Sequence, residues 1–277
     1  MKKMMLQTIL LCCLCLVSCS DSEENRPALP PDQEQEEPET PDRPHDYTGL
    51  MNKTNSVPVN YEQEAEQRGE VVRIDYDTHD YAEGTGVART NTAYVYLPYG
   101  YDEHTDQRYN VVYFVHGHYG TAATTFEAEN GLVRKLLDHM TENGDMSPTI
   151  VVSPSYNYGN PTPNYVDADP YCEALPQELV NDLIPIVESR YRTYTESTDA
   201  VGLESSREHR AIGGFSMGAV TTWYALEHTL DYFKFFMPVS ADCWSLGAFA
   251  GMNRPTETAE YLAGIIRQSP HVGTGFY

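Results

Sequence analysis

The chain has 277 residues, 40% of them hydrophobic, and a formal net charge of −23. That length holds one large domain with a tail, or at most two small ones, and the apolar content is enough for a core. So acidic a balance excludes nucleic acid as a partner, because phosphate binding needs a basic face.

The first 19 residues read as a targeting segment. Lys2 and Lys3 precede the 14-residue apolar stretch MMLQTILLCCLCLV, shorter than the ~20 residues a spanning helix needs and of signal-peptide length. It ends in LVSC (Leu16 to Cys19), which resembles a bacterial lipobox, with Cys19 as the lipidated first residue of the mature protein. A plain secretory signal with a chance cysteine is the alternative. The SDSEE that follows resembles the acidic stretch that sends some lipoproteins outward. The expected location is the outer membrane or cell surface, with a periplasm-facing orientation still open.

Residues 20–46 hold six prolines and ten acids, for a net charge of −8. Such a segment cannot bury enough surface to offset its ordering entropy, so residues 20–60 are expected to be a disordered tether and residues 61–277 the folded domain. Four of the six cysteines (Cys12, Cys13, Cys15 and Cys19) lie in the leader. Cys172 and Cys243 remain, either as a disulfide of an exported protein or as two separate buried thiols.

From there the pattern is globular. EVVRIDYD (70–77) and TNTAYVYLP (90–98) alternate as half-buried strands do. YNVVYFVHG (109–117) is a nearly continuous apolar run, as in a strand buried on both faces. A helix is expected around 124–141, a buried strand at TIVVSP (149–154), a 20-residue loop, and a helix over roughly 175–190. HRAIGGF then reads as a strand, SMGAVTTWYALEH as a helix, KFFMPVS (234–240) as a strand, and YLAGIIRQSPHVGTGFY as a helix and loop. Antiparallel strands followed by strand–helix alternation predict an α/β fold with a mostly parallel central sheet flanked by helices.

Gly214-Phe215-Ser216-Met217-Gly218 falls at the predicted strand-to-helix junction. There a G-x-S-x-G motif has a mechanical meaning: a sharp turn exposes the serine Oγ, and small neighbours leave room for the turn. The helix starting at Met217 aims its free N–H groups at any oxyanion formed beside Ser216. Ser216 is thus the candidate nucleophile. The Met217 N–H is one oxyanion donor, and a second comes from HGHYG (116–120), with His118 N–H favoured. His116 is read as shaping that loop. No ligand set is spaced for zinc, so neither a metal nor another cofactor is expected.

The chain from about residue 70 onward resembles the feruloyl esterase and acetyl-xylan esterase group of carbohydrate esterases, akin to esterase D, within the α/β-hydrolase fold. YNVVYFVHGHYG, NDLIPIVESRYRTY, the run from His209 to Trp244 and the Tyr-rich loop carry the likeness. It implies a Ser–His–Asp carboxylic-ester hydrolase acting on feruloylated or acetylated plant cell-wall polysaccharide, releasing ferulate from arabinoxylan. An acetyl-xylan esterase or general carboxylesterase is the alternative within the class, and a non-catalytic glycan-binding surface lipoprotein the alternative outside it.

In this fold the acid and then the histidine follow the serine, and only 61 residues follow Ser216. The expectation is a C-terminally truncated chain whose acid and histidine lie beyond residue 277. The weaker internal candidates are Asp242 and His271, whereas His228 sits on the helix behind the nucleophile. Asp242 and Trp244 are otherwise expected to line the pocket. The loop SPSYNYGNPTPNYVDADPYC (153–172) carries Tyr156, Tyr158, Tyr165 and Tyr171, flat rings with polar tips suited to an aryl acid or a sugar. Tyr156 and Tyr158 are the candidate substrate contacts.

Overall fold

The computed structural model describes residues 57–128 and 131–272. The leader with Cys19 and nearly all of the tether lie outside these residues. Within them the first layer is one six-stranded sheet of order β1-β2-β4-β3-β5-β6. Strand β1 (Glu70–His79) pairs antiparallel with β2 (Ala88–Leu97), and β2 pairs antiparallel with β4 (Thr149–Ser153). Strands β4, β3 (Asn110–Val115), β5 (Arg210–Phe215) and β6 (Phe235–Val239) are mutually parallel. The expected architecture, an antiparallel flank on a parallel centre, is what forms.

Alternation explains the flank. Ile74 and Tyr76 of β1 and Ala93, Val95 and Leu97 of β2 point into one buried layer, while their neighbours are more exposed. In the centre both faces are covered. Val111, Tyr113 and Val115 of β3 join the larger core, whereas Val112 and Phe114 pack on the opposite side. That opposite side is closed by helix α2 (Leu132–Glu142), through Leu136, Leu137 and Met140. The larger core is closed by α3 (Asp169–Glu178), which passes through a π-helical turn (Leu179–Leu183) into α4 (Ile184–Arg190), and by α6 (Met217–His228).

Two expected helices differ in their bounds, each for a local reason. The helix expected over 124–141 is split into α1 (Thr124–Glu127) and α2, with Gly131 at φ 73° capping the second piece. Helix α3 starts at Asp169 rather than near 175, because Pro170 in its first turn is already set for helix. The long loop therefore ends near residue 168, and Tyr171 and Cys172 belong to the helix. The helices α5 (Ala200–Ser205), α7 (Ala250–Asn253) and α8 (Pro255–Gln268) complete the chain. α5 and α7 are only six and four residues long, too short for a periodic apolar signal.

Cys172 and Cys243 are both free and buried. Cys172 Sγ faces the Met217 carbonyl oxygen and Cys243 Sγ faces Ser245 Oγ, so of the two readings the separate thiols are the ones present. Below the sheet centre, Arg210 and Glu188 form a buried ion pair at 2.6 Å. Ser206, Thr193 and the carbonyl oxygens of Leu203 and Tyr232 satisfy its remaining groups and fix the start of β5.

Candidate active site

Strand β5 delivers its last residue, Phe215, to the C-terminal edge of the parallel strands, and the chain reverses at once into α6. Ser216 occupies the turn at φ 55° and ψ −115°, a region that costs a non-glycine residue on the order of 1–3 kcal/mol. Its N–H donates to the Val239 carbonyl oxygen of β6 at 2.9 Å, and its carbonyl oxygen accepts from the N–H groups of Ala219 and Val220. The hydroxyl makes no hydrogen bond among the described residues.

The two glycines of the motif are there for close approach. A Cβ on Gly214 would lie 2.5 Å from the backbone carbon of Gly218. One on Gly218 would overlap the Val115 carbonyl oxygen and lie 2.8 Å from the carbonyl oxygen of His116. Helix α6 is thus pressed against the end of β5 on one side and the end of β3 on the other. This is the contact that holds Ser216 out of line with its strand.

The loop HGHYG comes to the same point. The site a Cβ on Gly117 would take is 3.6 Å from Ser216 Cβ and 3.4 Å from the Phe215 carbonyl oxygen. Neither the Met217 N–H nor the His118 N–H has a hydrogen-bond partner among the described residues. The first heads α6 directly after the serine, and the second follows Gly117, which packs on the serine. His116 is buried; its Nδ1–H donates to the Gly117 carbonyl oxygen at 2.8 Å, and its Nε2 lies 2.9 Å from Ser155 Oγ. Burial pulls this imidazole down to about 4, so it stays neutral near pH 7. Ser155 bonds Asn157 Oδ1, and Asn157 Nδ2 donates to the Gly120 carbonyl oxygen. His116 thereby ties the loop after β3 to the loop after β4.

His118 is 7% exposed, and neither ring nitrogen has a hydrogen-bond partner among the described residues. It meets Tyr165 edge-on, Tyr165 meets Phe249, and Phe249 packs on Trp244. An aromatic path thus joins the loop after β3, the Tyr-rich loop and the segment after β6. Tyr156 is buried against the His116 ring, and Tyr158 is half-buried; Tyr165 is the loop tyrosine that faces solvent.

Asp242 and His271 do not meet Ser216. Asp242 accepts from Trp244 Nε1 at 3.0 Å and from the Met252 N–H at 2.9 Å, so both its oxygens hold the 242–252 segment together. His271 Nε2 lies 2.7 Å from Asp231, beyond the C-terminus of α6, whereas Ser216 lies at its N-terminus. Twelve helical residues, about 18 Å, separate the two ends. His228 is at that far end too, and Trp244 is buried in the core rather than open to a cavity. Among the described residues no histidine bonds the Ser216 hydroxyl.

Sequence reasoning missed Glu178, the chemically most unusual group near the site. It is 2% exposed and has no cationic partner among the described residues; Tyr76 Oη, Asn91 Nδ2 and Tyr158 Oη donate to it at 2.6, 2.7 and 3.2 Å. Burial pushes its carboxyl up to about 7. A signal was present: Glu178 is three residues from Leu175, on the helix face that packs inward.

With this geometry in view, the comparisons decide the family. The Esterase family model matches residues 85–260. The chain belongs to the Esterase family. A feruloyl esterase structure is 38% identical at a TM-score of 0.64, over 77% of this chain and 66% of that one. A serine-to-alanine mutant of the Clostridium thermocellum feruloyl esterase module, complexed with sinapinate, is 37% identical at the same TM-score, over 76% of this chain and 66% of that one. Among curated proteins, endo-1,4-beta-xylanase Y of Acetivibrio thermocellus is 38% identical over 213 residues, which is 77% of this chain and 17% of that protein. An endo-1,4-beta-xylanase/feruloyl esterase of Xylanibacter ruminicola is 29% identical over 51% of this chain and 18% of its own length. The chain therefore spans less than a fifth of these curated relatives.

Proposed function

We propose that this family member is a serine carboxylic-ester hydrolase of the feruloyl esterase type, acting on feruloylated xylan-type polysaccharide. The observation that carries this reading is the strained Ser216, held at the N-terminus of α6 against Gly117 of the loop after β3. Likeness to feruloyl esterase modules, one of them binding sinapinate, supports the aryl acid as the acyl group.

In the mechanism we infer, Ser216 Oγ attacks the ester carbonyl carbon. The resulting oxyanion is held by the N–H groups of Met217 and His118, each worth about 2.7–4 kcal/mol of transition-state stabilisation. Collapse expels the sugar alcohol and leaves a feruloyl ester on Ser216, which water then hydrolyses. Among the described residues no histidine bonds the Ser216 hydroxyl, and none is assigned as the general base. The strain at Ser216 serves this chemistry by fixing Oγ before substrate arrives. We further infer lipidation at Cys19 and a surface or outer-membrane location, on the strength of the leader and the tether alone.

The test is release of ferulate from methyl ferulate and of nitrophenolate from 4-nitrophenyl acetate. It is run for the chain beside Ser216→Ala, after circular dichroism shows both to be folded. Release lost in Ser216→Ala is the expected result, and release that survives the substitution overturns the reading. A folded chain that binds ferulate yet releases nothing favours the non-catalytic binding reading. Preference for 4-nitrophenyl acetate favours an acetyl esterase.

A further inference from the structure

A groove opens at the same end of the sheet as Ser216, toward β2. Its volume is about 220 Å³ and its walls include Thr90, Thr92, Tyr94, Thr121, Ser155 and Tyr158. Strand β2 runs past the end of β4, since Tyr94 pairs with Ser153, so residues 90–92 project over the edge where the loops after β3 and β4 emerge. Ser155 belongs to both places: it lines the groove, and its Oγ lies 2.9 Å from His116 Nε2, one residue before the glycine that packs on Ser216.

The lining has a particular chemistry. The whole chain carries a net charge of −23, yet none of the residues around this groove is charged. The hydroxyls of Thr90, Tyr94 and Thr121 make no hydrogen bond among the described residues. The rear wall, by contrast, is fixed. Asn91 Nδ2 donates to both the Ser155 carbonyl oxygen and Glu178, and Tyr158, at φ 50°, donates to Glu178 from the other side. Uncharged walls with two tyrosine rings and unspent hydroxyls match a neutral polyol, a ring with apolar faces and hydroxyl edges. The cation nearest this wall, Arg89 over the Tyr158 ring at 5.9 Å, is already paired with Asp80, so an anion would find no free charge among the lining residues, and a purely apolar group would strand the hydroxyls.

We propose that this groove is a subsite for one neutral sugar residue on the alcohol side of the ester. Tyr94 and Tyr158 face the ring, and Thr90 and Thr121 bond its hydroxyls. The volume suits a single ring rather than a longer oligosaccharide. This deepens the esterase reading and rests on it.

NMR titration of the isotope-labelled chain tests the assignment. The ligands are an ester-free arabinoxylo-oligosaccharide and, separately, ferulate. Two variants are compared with wild type: Tyr94→Ala, which removes a wall, and Thr90→Tyr, which fills the groove from an exposed strand position that tolerates an aromatic residue. The expected result is sugar-induced shifts at residues 90–94, 121–123 and 155–159. Affinity should be roughly tenfold weaker in either variant that keeps the wild-type spectrum elsewhere. Sugar binding that neither variant weakens, or that shifts other residues, overturns the subsite and leaves the esterase reading standing. Ferulate binding without sugar binding does the same. Binding of neither overturns both.

Discussion

Gly218→Ala is the sharpest probe of how the fold holds its serine. The new Cβ would overlap the Val115 carbonyl oxygen and stand 2.7 Å from its carbon and 2.8 Å from the His116 carbonyl oxygen. All three atoms are backbone at the end of the central strand β3, so no side chain can swing aside. Helix α6 must lift away from the sheet, and it carries Ser216 at its first turn. Overpacking in a well-packed interior costs about 1–3 kcal/mol; with backbone as the obstacle, the upper end, about 3 kcal/mol, is expected. For a domain of this size that lowers Tm by roughly 6–12 °C. The internal control is Gly264→Ala in the middle of α8, where a Cβ meets nothing within 4 Å. Alanine should stabilise that helix by about 0.5–1 kcal/mol. The assay is thermal unfolding followed by circular dichroism, with both variants beside wild type. If Gly218→Ala melted within a degree of wild type, the close approach of α6 to β3 would not be what shapes the turn, and the argument for Ser216 would fail with it.

Other expectations follow the same logic. Ser216→Gly should raise Tm by roughly 2–4 °C while abolishing esterase activity, since glycine occupies φ 55° without strain. Arg210→Ala should destabilise by about 3–5 kcal/mol, seen as a lower urea midpoint, because it leaves the Glu188 carboxylate buried and unpaired. Glu178 and His116 should produce opposing pH dependences. Glu178 titrates near 7 in the fold and near 4.5 unfolded, so its contribution is full below about pH 4.5 and lost by pH 7. His116 titrates near 4 in the fold and near 6.5 unfolded, so its contribution is full above about pH 6.5 and lost as pH falls toward 4. Relative to wild type, urea unfolding across pH 4.5–6.5 should slope toward lower stability at acid pH in Glu178→Gln, and the opposite way in His116→Gln. Parallel curves in all three would refute the assignment.

The parts of this molecule that were legible in its sequence are those with a period or a fixed geometry. The sheet strands were readable because β1 and β2 alternate and β3 to β6 are short apolar runs. The elbow was readable because few arrangements place glycines two residues either side of a serine between such a strand and a helix. What escaped was tertiary. Glu178 sits at an inward-facing helix position, but only the fold shows what surrounds it, bringing Tyr76, Asn91 and Tyr158 from up to 102 positions away. Asp242 follows a strand, as an active-site acid does, but its partners Trp244 and Met252 are contacts of a loop folding back on itself. His271 could not be excluded from spacing alone; its place at the far end of α6 excludes it. The sugar groove was invisible because its walls come from three separate segments, none with a motif.

The central claim is that aryl-ester chemistry happens at Ser216, and the most direct measurement is a crystal structure of Ser216→Ala soaked with sinapinate. This holds whatever residue supplies the base. The account predicts the carboxylate within hydrogen-bond distance of the Met217 and His118 N–H groups, with its chain leading away from position 216. Sinapinate bound elsewhere, or no binding by a variant that folds, would contradict it.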